Sequence, residues 1–363
     1  MRAPERRNLE KNRCCWLRLV CLAALFTLGC ERRPEKPRSE LTSPPATSVR
    51  PSAVSAPSRL PEYAVDNSLP GVREPHVRKG SVTTELMTDK TSAYRAGLFV
   101  DDDAIYLLTD TVAHVFVPGA TPRAVPVANG EVAAVTRREF VYWSKGAIWG
   151  ISKSGGRAQR LARISLQPQF LMAAGDSVAW LTMVERDRFV IQSLGGKSAR
   201  TILSYDGRIE TAAMTDTHVY FVQRDDAEHW RIGRIALQGG DATYSATHDG
   251  PTPAKLAVAG DVYYYDVKTS TVRRLKADLS SEVTVIRDLV CSPLAVGVRL
   301  YCPNVDGMFE FARHEGAKIM PLFPSKERLT AVAASSKFLV WLSDPGPDRL
   351  TLKMIRLELD DAG

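Results

Sequence analysis

The sequence predicts an all-β fold in which one unit of four short strands is repeated along the chain. In the clearest copy, residues 132–161, apolar and polar side chains alternate with the period of two that half-buried strands show. Short polar turns separate the strands, and Gly155 and Gly156 can take the positive φ angles that a hairpin turn needs. No window of about a dozen residues carries a convincing helical period.

A pair of residues in the second strand of each unit sets the length of the repeat. In each pair an aliphatic residue is followed by a residue that is aromatic in most of the units. From residue 106 to residue 340 the mean spacing between successive pairs is 39 residues. A period near forty with four strands per unit is typical of a β-propeller, so seven pairs predict seven blades. The alternative is a β-sandwich with evenly spaced strands. The pairs are Ile105-Tyr106, Val141-Tyr142, Val178-Ala179, Val219-Tyr220, Val262-Tyr263, Leu300-Tyr301 and Leu339-Val340.

The two ends of the repeated region predict how the ring closes. The last blade is one strand short after residues 350–359, whereas the segment from Val82 to Leu86 is one strand in excess before the first blade. We therefore expect the segment from Val82 to Leu86 to be the outer strand of the last blade. Closure of this kind removes unpaired strand edges that invite aggregation. The predicted propeller domain is residues 81–363.

The amino-terminal segment predicts export. Six basic residues within residues 1–18 precede the uncharged apolar run 19–29, which is the pattern of a signal peptide over residues 1–29. The run is shorter than the roughly 20 residues that a permanent membrane span needs. Residues 26–30, which end in Gly29-Cys30, resemble the lipobox of bacterial lipoproteins. The resemblance implies cleavage before Cys30 and acylation of Cys30; the alternative is a plain secretory signal in which this cysteine is incidental.

Residues 30–80 are predicted to be a disordered tether, because they are rich in proline and serine and poor in large apolar side chains. The net charge of +7 arises entirely within residues 1–80, so the propeller carries no basic excess and is not expected to bind nucleic acid. The expected location is the bacterial cell envelope, lipid-anchored and facing the periplasm or the exterior, with the outer membrane favoured.

The cysteines of the predicted propeller support an exported location. Only Cys291 and Cys302 occur there, and they flank residues 292–301, which are predicted to be the first hairpin of blade 6. Since the two chains of a hairpin run side by side, we expect a disulfide in an oxidising compartment; the alternative is two buried free thiols. The histidines show no metal-ligand spacing, so no metal or cofactor is predicted.

Acidic residues predict one candidate binding face. In most blades the connection after the second strand begins with acids, and in a propeller these connections open on the same face, where they would attract a basic partner. The alternative is that Asp begins turns for local hydrogen-bonding reasons. The longest such loop, 223–230, is the first expected contact site. The candidate residues are Asp110, Asp187, Asp225, Asp226, Glu228, His229, Trp230, Asp266, Asp306 and Asp344.

Tyr142-Trp143-Ser144 followed by Ser154-Gly155-Gly156 resembles the repeat of YWTD-like and TolB-like propellers of exported bacterial proteins, over about residues 96–359. No blade contains the full YWTD tetrad, so the calcium binding and ligand binding of that family are not predicted for this chain. No catalytic constellation is recognised. The predicted function is a non-enzymatic binding or assembly platform for another protein or a cell-envelope component. The alternative is a hydrolase or lyase acting on cell-wall or extracellular glycan; a glycosidase needs two carboxylates about 5–10 Å apart.

Overall fold

Seven antiparallel sheets follow one another in sequence and form the blades of a seven-bladed β-propeller, as the repeat predicted. The structure, a computed structural model, describes residues 84–89, 97–128, 132–195, 198–292, 294–304, 306–325, 327–344 and 350–357. In each blade the first strand is innermost, and sequential strands pair outward from it.

The strands follow the predicted order. Blade 1 contains β2 (Gly97–Val100), β3 (Ile105–Leu108), β4 (Val112–Phe116) and β5 (Arg123–Pro126). Blade 2 contains β6 (Ala133–Val135), β7 (Glu139–Ser144), β8 (Ala147–Ser152) and β9 (Gln159–Arg163). Blade 3 contains β10 (Phe170–Ala174), β11 (Ser177–Glu185), β12 (Arg188–Gly195) and β13 (Ser198–Asp206). Blade 4 contains β14 (Arg208–Met214), β15 (His218–Arg224), β16 (His229–Ala236), β17 (Thr243–Tyr244) and β18 (His248–Asp249).

The remaining blades continue the same pattern. Blade 5 contains β19 (Leu256–Ala259), β20 (Asp261–Asp266), β21 (Thr271–Leu275) and β22 (Glu282–Arg287). Blade 6 contains β23 (Ala295–Val296), β24 (Leu300–Asn304), β25 (Gly307–Phe311) and β26 (Met320–Pro324). Blade 7 contains β27 (Arg328–Ala334), β28 (Phe338–Asp344), β29 (Leu350–Arg356) and, as its outer strand, β1 (Thr84–Asp89).

The core lies between neighbouring blades, which explains the aliphatic-aromatic pairs of the second strands. In β20, Val262 and Tyr264 pack into the cluster shared with blade 4, whereas Tyr263 and Tyr265 pack into the cluster shared with blade 6. Because successive side chains of a strand point to opposite faces, a strand that is covered on both faces needs an unbroken run of large apolar residues.

The outer edge of blade 4 is divided into two short strands, β17 and β18, which both pair with β16. Between them, Ser245 takes over part of the ladder: its backbone N–H donates to the Ile232 carbonyl at 2.9 Å, and its hydroxyl accepts the Ile232 N–H at 3.0 Å. A side-chain oxygen that replaces a backbone carbonyl satisfies the donor but interrupts the strand, as expected for serine.

The ring closes as the sequence predicts. The strand β1 pairs antiparallel with β29 and is the outer strand of blade 7. Its observed bounds, Thr84–Asp89, lie slightly later than predicted, and residues 82–83 fall outside the described residues. Leu86 and Met87 pack against the cluster of buried side chains that joins blades 7 and 1. The closing strand therefore contributes to an interface between blades as well as to a ladder.

The predicted disulfide is present in blade 6. Cys291, in the connection before β23, is joined to Cys302 of β24 with a Cα–Cα distance of 5.2 Å, and both residues are fully buried. The sequence separation of 11 residues closes a small loop, for which chain entropy gives a stabilisation of about 2–3 kcal/mol. A disulfide is typical of an oxidising compartment and supports an extracytoplasmic location.

Within the described ranges, no helix is long and apolar enough to cross a membrane. The predicted signal peptide (residues 1–29), the predicted lipidation site at Cys30 and the predicted tether (residues 30–80) lie outside the described residues.

Candidate functional site

The connections of the propeller open alternately on two faces. Those between the second and third strands of a blade lie on the same face as those between blades, because each blade begins and ends on that side. We call this side the front face. Its described parts include 109–111, 145–146, 186–187, 225–228 and 267–270 within blades, and 164–169, 250–255 and 288–292 between blades.

All ten sequence-predicted residues lie in or next to connections on the front face, but they are distributed over six blades. Five of the ten belong to the blade 4 loop, 223–230, and are therefore neighbours in sequence. Across the described residues, no group of three or more His, Cys, Asp or Glu side chains is arranged to hold a metal ion.

The blade 4 loop owes its shape to Asp226. Its Oδ1 accepts the backbone N–H groups of Glu228 and His229, both at 2.8 Å, and its Oδ2 lies 2.8 Å from His229 Nδ1. The backbone bond from Glu228 and the contact with His229 lower the pKa of Asp226, and the same contact raises the pKa of His229. The alternative interpretation of the acids, local turn chemistry, accounts for Asp226.

Three other predicted acids are paired with arginines, and in the most exposed of these pairs Asp187 Oδ2 lies 3.8 Å from Arg186 Nε. Asp225 Oδ2 lies 3.5 Å from Arg231 Nε, and Asp266 Oδ2 lies 3.1 Å from Arg273 Nε. Asp187 is an exposed turn residue with φ of 60°, a conformation that Asp tolerates better than most residues. Pairing of this kind weakens the field that an acidic ring would present to a basic partner.

Trp230 is buried, contrary to its predicted role in contacting a partner. Its side chain is 1% exposed; it stacks on His248 with ring centroids 4.3 Å apart and meets Tyr264 edge-on at 5.6 Å. The sequence interpretation is wrong at this position, because the residue already belongs to strand β16 and points toward blade 5 rather than into solvent.

A polar network that the sequence did not predict lies beside Trp230, between blades 4 and 5. Glu282 Oε1 accepts hydrogen bonds from the Tyr264 hydroxyl and from Arg273, the latter at 3.1 Å. His248 Nε2 lies 3.7 Å from Glu282 Oε2, and burial lowers the pKa of His248. Burial and the neighbouring Glu282 raise the pKa of Tyr264, which keeps its hydroxyl protonated as a donor. The hydrogen-bonded members all belong to blade 5, and His248 of blade 4 faces them without a hydrogen bond from its Nε2.

Exposed apolar side chains are concentrated on the front face. Six large hydrophobic residues of the described ranges are exposed, and five of them lie on this side of the blades. Leu166, Met183 and Val184 lie at blades 2 and 3, and Val267 and Val290 lie at blades 5 and 6. The charged loop of blade 4 separates the two groups. The two faces therefore differ in the number of exposed large apolar side chains within the described ranges, five against one.

A pocket of about 280 Å³ opens between blades 2 and 3 at the front face. Four aliphatic side chains form its apolar wall, and hydroxyl, amide and guanidinium groups supply its polar wall. No sequence motif predicts this pocket, because its walls come from the end of one blade and the middle of the next. The lining residues are Arg163, Ile164, Ser165, Leu166, Thr182, Val184, Val190, Gln192 and Thr201.

The sequence matches no protein-family model and no curated protein, so the resemblance to YWTD-like and TolB-like repeats stays a prediction. Solved structures share the fold. A catalytically inactive variant of virginiamycin B lyase from Staphylococcus aureus with quinupristin is 13% identical, with a TM-score of 0.50 over 76% of this chain and 99% of the lyase. A selenomethionine-substituted form of that lyase is 12% identical, with the same TM-score and coverage.

A puromycin-hydrolysing peptidase from Mycobacterium tuberculosis is 12% identical, with a TM-score of 0.56 over 74% of this chain and 53% of the peptidase chain. This chain therefore matches about half of the peptidase's length. The comparisons contradict the sequence-based prediction that this chain is not an enzyme, because structures with its fold include a lyase and a peptidase. Identities of 12–13% show a common fold and assign no substrate.

Proposed function

We propose that this chain is an exported lipoprotein whose propeller binds another protein or a component of the cell envelope through its front face. Acylation at Cys30 anchors it, and residues 30–80 connect the anchor to the propeller. The pattern of basic residues, apolar run and Gly29-Cys30 supports the anchor. The disulfide supports an oxidising compartment.

The concentration of exposed apolar side chains on the front face is the observation that carries the binding proposal. Val290, Met183 and Val267, at 60%, 47% and 46% exposed, gain most from being covered by a partner. The blade 4 loop beside them offers charged groups for orientation. Protein interfaces combine apolar side chains with polar and charged groups, and the front face offers both.

A photo-cross-linking residue placed at position 267 or 290 tests the binding proposal. We expect a covalent adduct with one partner in cells that express the full chain, identified by mass spectrometry. Val117 is the matched control, because it is 37% exposed but lies in a turn on the opposite face. Adduct formation of equal yield from position 117, or no adduct from any position, would refute the use of this face.

The anchor has a test of its own. Cys30→Ser removes the sulfur that would carry the lipid, so we expect loss of labelled-fatty-acid incorporation and loss of the processed chain from the membrane fraction. Two or more acyl chains anchor a protein stably to a membrane, and a chain without acylation lacks this anchor. Cys21→Ser, within the apolar run, is the matched control and should leave labelling unchanged. Persistent labelling of the Cys30→Ser chain would exclude this cysteine as the lipid site.

Catalysis at the front face is a second candidate function, favoured by the lyase and the peptidase that share the fold. For an enzyme, the substrate that the sequence analysis names is cell-wall or extracellular glycan. Incubating the purified chain with peptidoglycan fragments, and with quinupristin and puromycin as probes, distinguishes the two candidates: turnover detected by mass spectrometry establishes an enzyme, and binding without product favours recognition alone.

A further inference from the structure

We propose that the pocket between blades 2 and 3 binds a small aliphatic carboxylate. This inference goes beyond the proposed function, because the pocket can take a small ligand whether or not a macromolecule covers the front face. Three observations carry it: the volume of the pocket, the composition of its walls and an unpaired hydroxyl deep in its lining.

The volume sets the size of the ligand. A pocket of about 280 Å³ holds on the order of nine or ten waters at roughly 30 Å³ each, and so a ligand of about ten non-hydrogen atoms. Ligand sites in proteins usually start at about 300 Å³, so this one lies at the small end of the range.

The apolar wall selects an aliphatic body. Ile164, Leu166, Val184 and Val190 border the pocket, and Leu166 and Val184 are 40% and 37% exposed. A ligand chain placed against them removes apolar surface from water on both partners. The two exposed side chains lie at the mouth of the pocket, because residues 164–169 and the end of β11 both border the front face.

The polar wall contains one buried hydroxyl without a hydrogen-bond partner. Thr182 is 4% exposed, yet its Oγ1 has no hydrogen-bond partner in the described part of the chain. Gln192 Oε1 accepts the Trp180 indole N–H at 2.9 Å. Since an indole N–H can only donate, the bond fixes the orientation of the amide and leaves the Gln192 Nε2 hydrogens available to a ligand. A buried donor without an acceptor is costly, so a ligand that accepts from Thr182 recovers that free energy.

Arg163 determines the sign of the ligand's charge. It is the sole charged residue of the lining, it is exposed, and it forms no ion pair with any other described residue. A guanidinium and a carboxylate form strong, charge-assisted hydrogen bonds. Guanidinium, hydroxyl and amide donors around one apolar space therefore favour a carboxylate joined to a short aliphatic chain.

Calorimetric titration of the purified full chain with octanoate, which has ten non-hydrogen atoms, tests the inference. We expect saturable binding with a Kd of about 0.1–1 mM, given the affinity that a ligand of this size can reach. Arg163→Gln should weaken octanoate binding about tenfold or more, because it removes the charge-assisted bonds. Thr182→Val, which keeps the shape of the side chain, should weaken it several-fold while leaving the thermal unfolding midpoint unchanged or higher.

Two controls make the test specific. Arg160→Gln changes an exposed arginine on the same strand β9 that does not line the pocket, and should bind octanoate as the wild type does. Octylammonium in the same buffer reverses the charge and should not bind. Absence of saturable octanoate binding, equal binding of octylammonium, or equal weakening by Arg160→Gln would each overturn the inference. Octanoate binding with no front-face adduct in cells would refute only the proposed function. A front-face adduct in cells with no octanoate binding would refute only this inference.

Discussion

A chain that lacks residues 84–89 is expected to lose the cooperative unfolding of the propeller. The deletion removes β1 from blade 7, leaves the edge of β29 unpaired and takes Leu86 and Met87 from the interface of blades 7 and 1. The lost ladder and the lost apolar contacts together amount to about 5 kcal/mol or more, which is comparable to the whole stability of a typical domain.

Urea unfolding followed by tryptophan fluorescence measures the effect of this deletion. Removal of residues 31–60, which leaves β1 in the chain, is the control and should keep the wild-type midpoint. Addition of a synthetic peptide that spans residues 82–90 should restore a cooperative transition, since a free strand can add to an exposed edge. A wild-type midpoint for the 84–89 deletion would show that β1 does not close the ring.

Arg299→Met is expected to destabilise the propeller by about 3–5 kcal/mol. Arg299 Nε lies 3.8 Å from Glu310 Oε2, and both side chains are almost fully buried, at 5% and 7% exposed. Removal of the arginine takes away the buried cation that this carboxylate faces, and breaking a buried ion pair is among the most costly changes in a core. Burial and the nearby Glu310 already raise the pKa of the Tyr301 hydroxyl.

The double variant Arg299→Met/Glu310→Leu should recover most of the lost stability, because a buried ion pair can be replaced by packed apolar side chains at little net cost. The exposed pair Arg138–Asp176, with its charged groups 3.7 Å apart, supplies the contrast: Arg138→Met should cost less than about 1 kcal/mol. The measurement is the denaturant midpoint of the wild type, Arg299→Met, the double variant and Arg138→Met. A destabilisation of Arg299→Met as small as that of Arg138→Met would mean that the buried pair is not coupled.

The sequence predicted the architecture well because each blade repeats the same physical requirement. A second strand that is covered on both faces needs consecutive large apolar residues, so Val262-Tyr263 and its equivalents recur with the period of the blade. The outer strand of blade 7 was predictable by counting strands at both ends of the chain. The disulfide was predictable because Cys291 and Cys302 flank a hairpin.

The candidate site was less predictable, because its parts come from different blades. Arg163 and Thr182 meet at one pocket although no motif links them, and the network of Tyr264, Arg273 and Glu282 depends on side-chain directions across three strands. Trp230 follows a run of charged residues and so resembles a loop residue, but the strand begins one residue earlier and turns the indole into the core. Local composition does not contain that information.

The closing pairing also constrains biosynthesis. Thr88 lies opposite Thr351, so the first described strand waits for a partner that the ribosome supplies about 260 residues later, on the order of 13–50 seconds at ordinary elongation rates. Until then β1 and the growing blades expose unpaired backbone N–H and C=O groups, which can form strand pairs with a neighbouring nascent chain. A cell that makes this protein must either keep the chain extended until translation ends or shield its beginning with a chaperone.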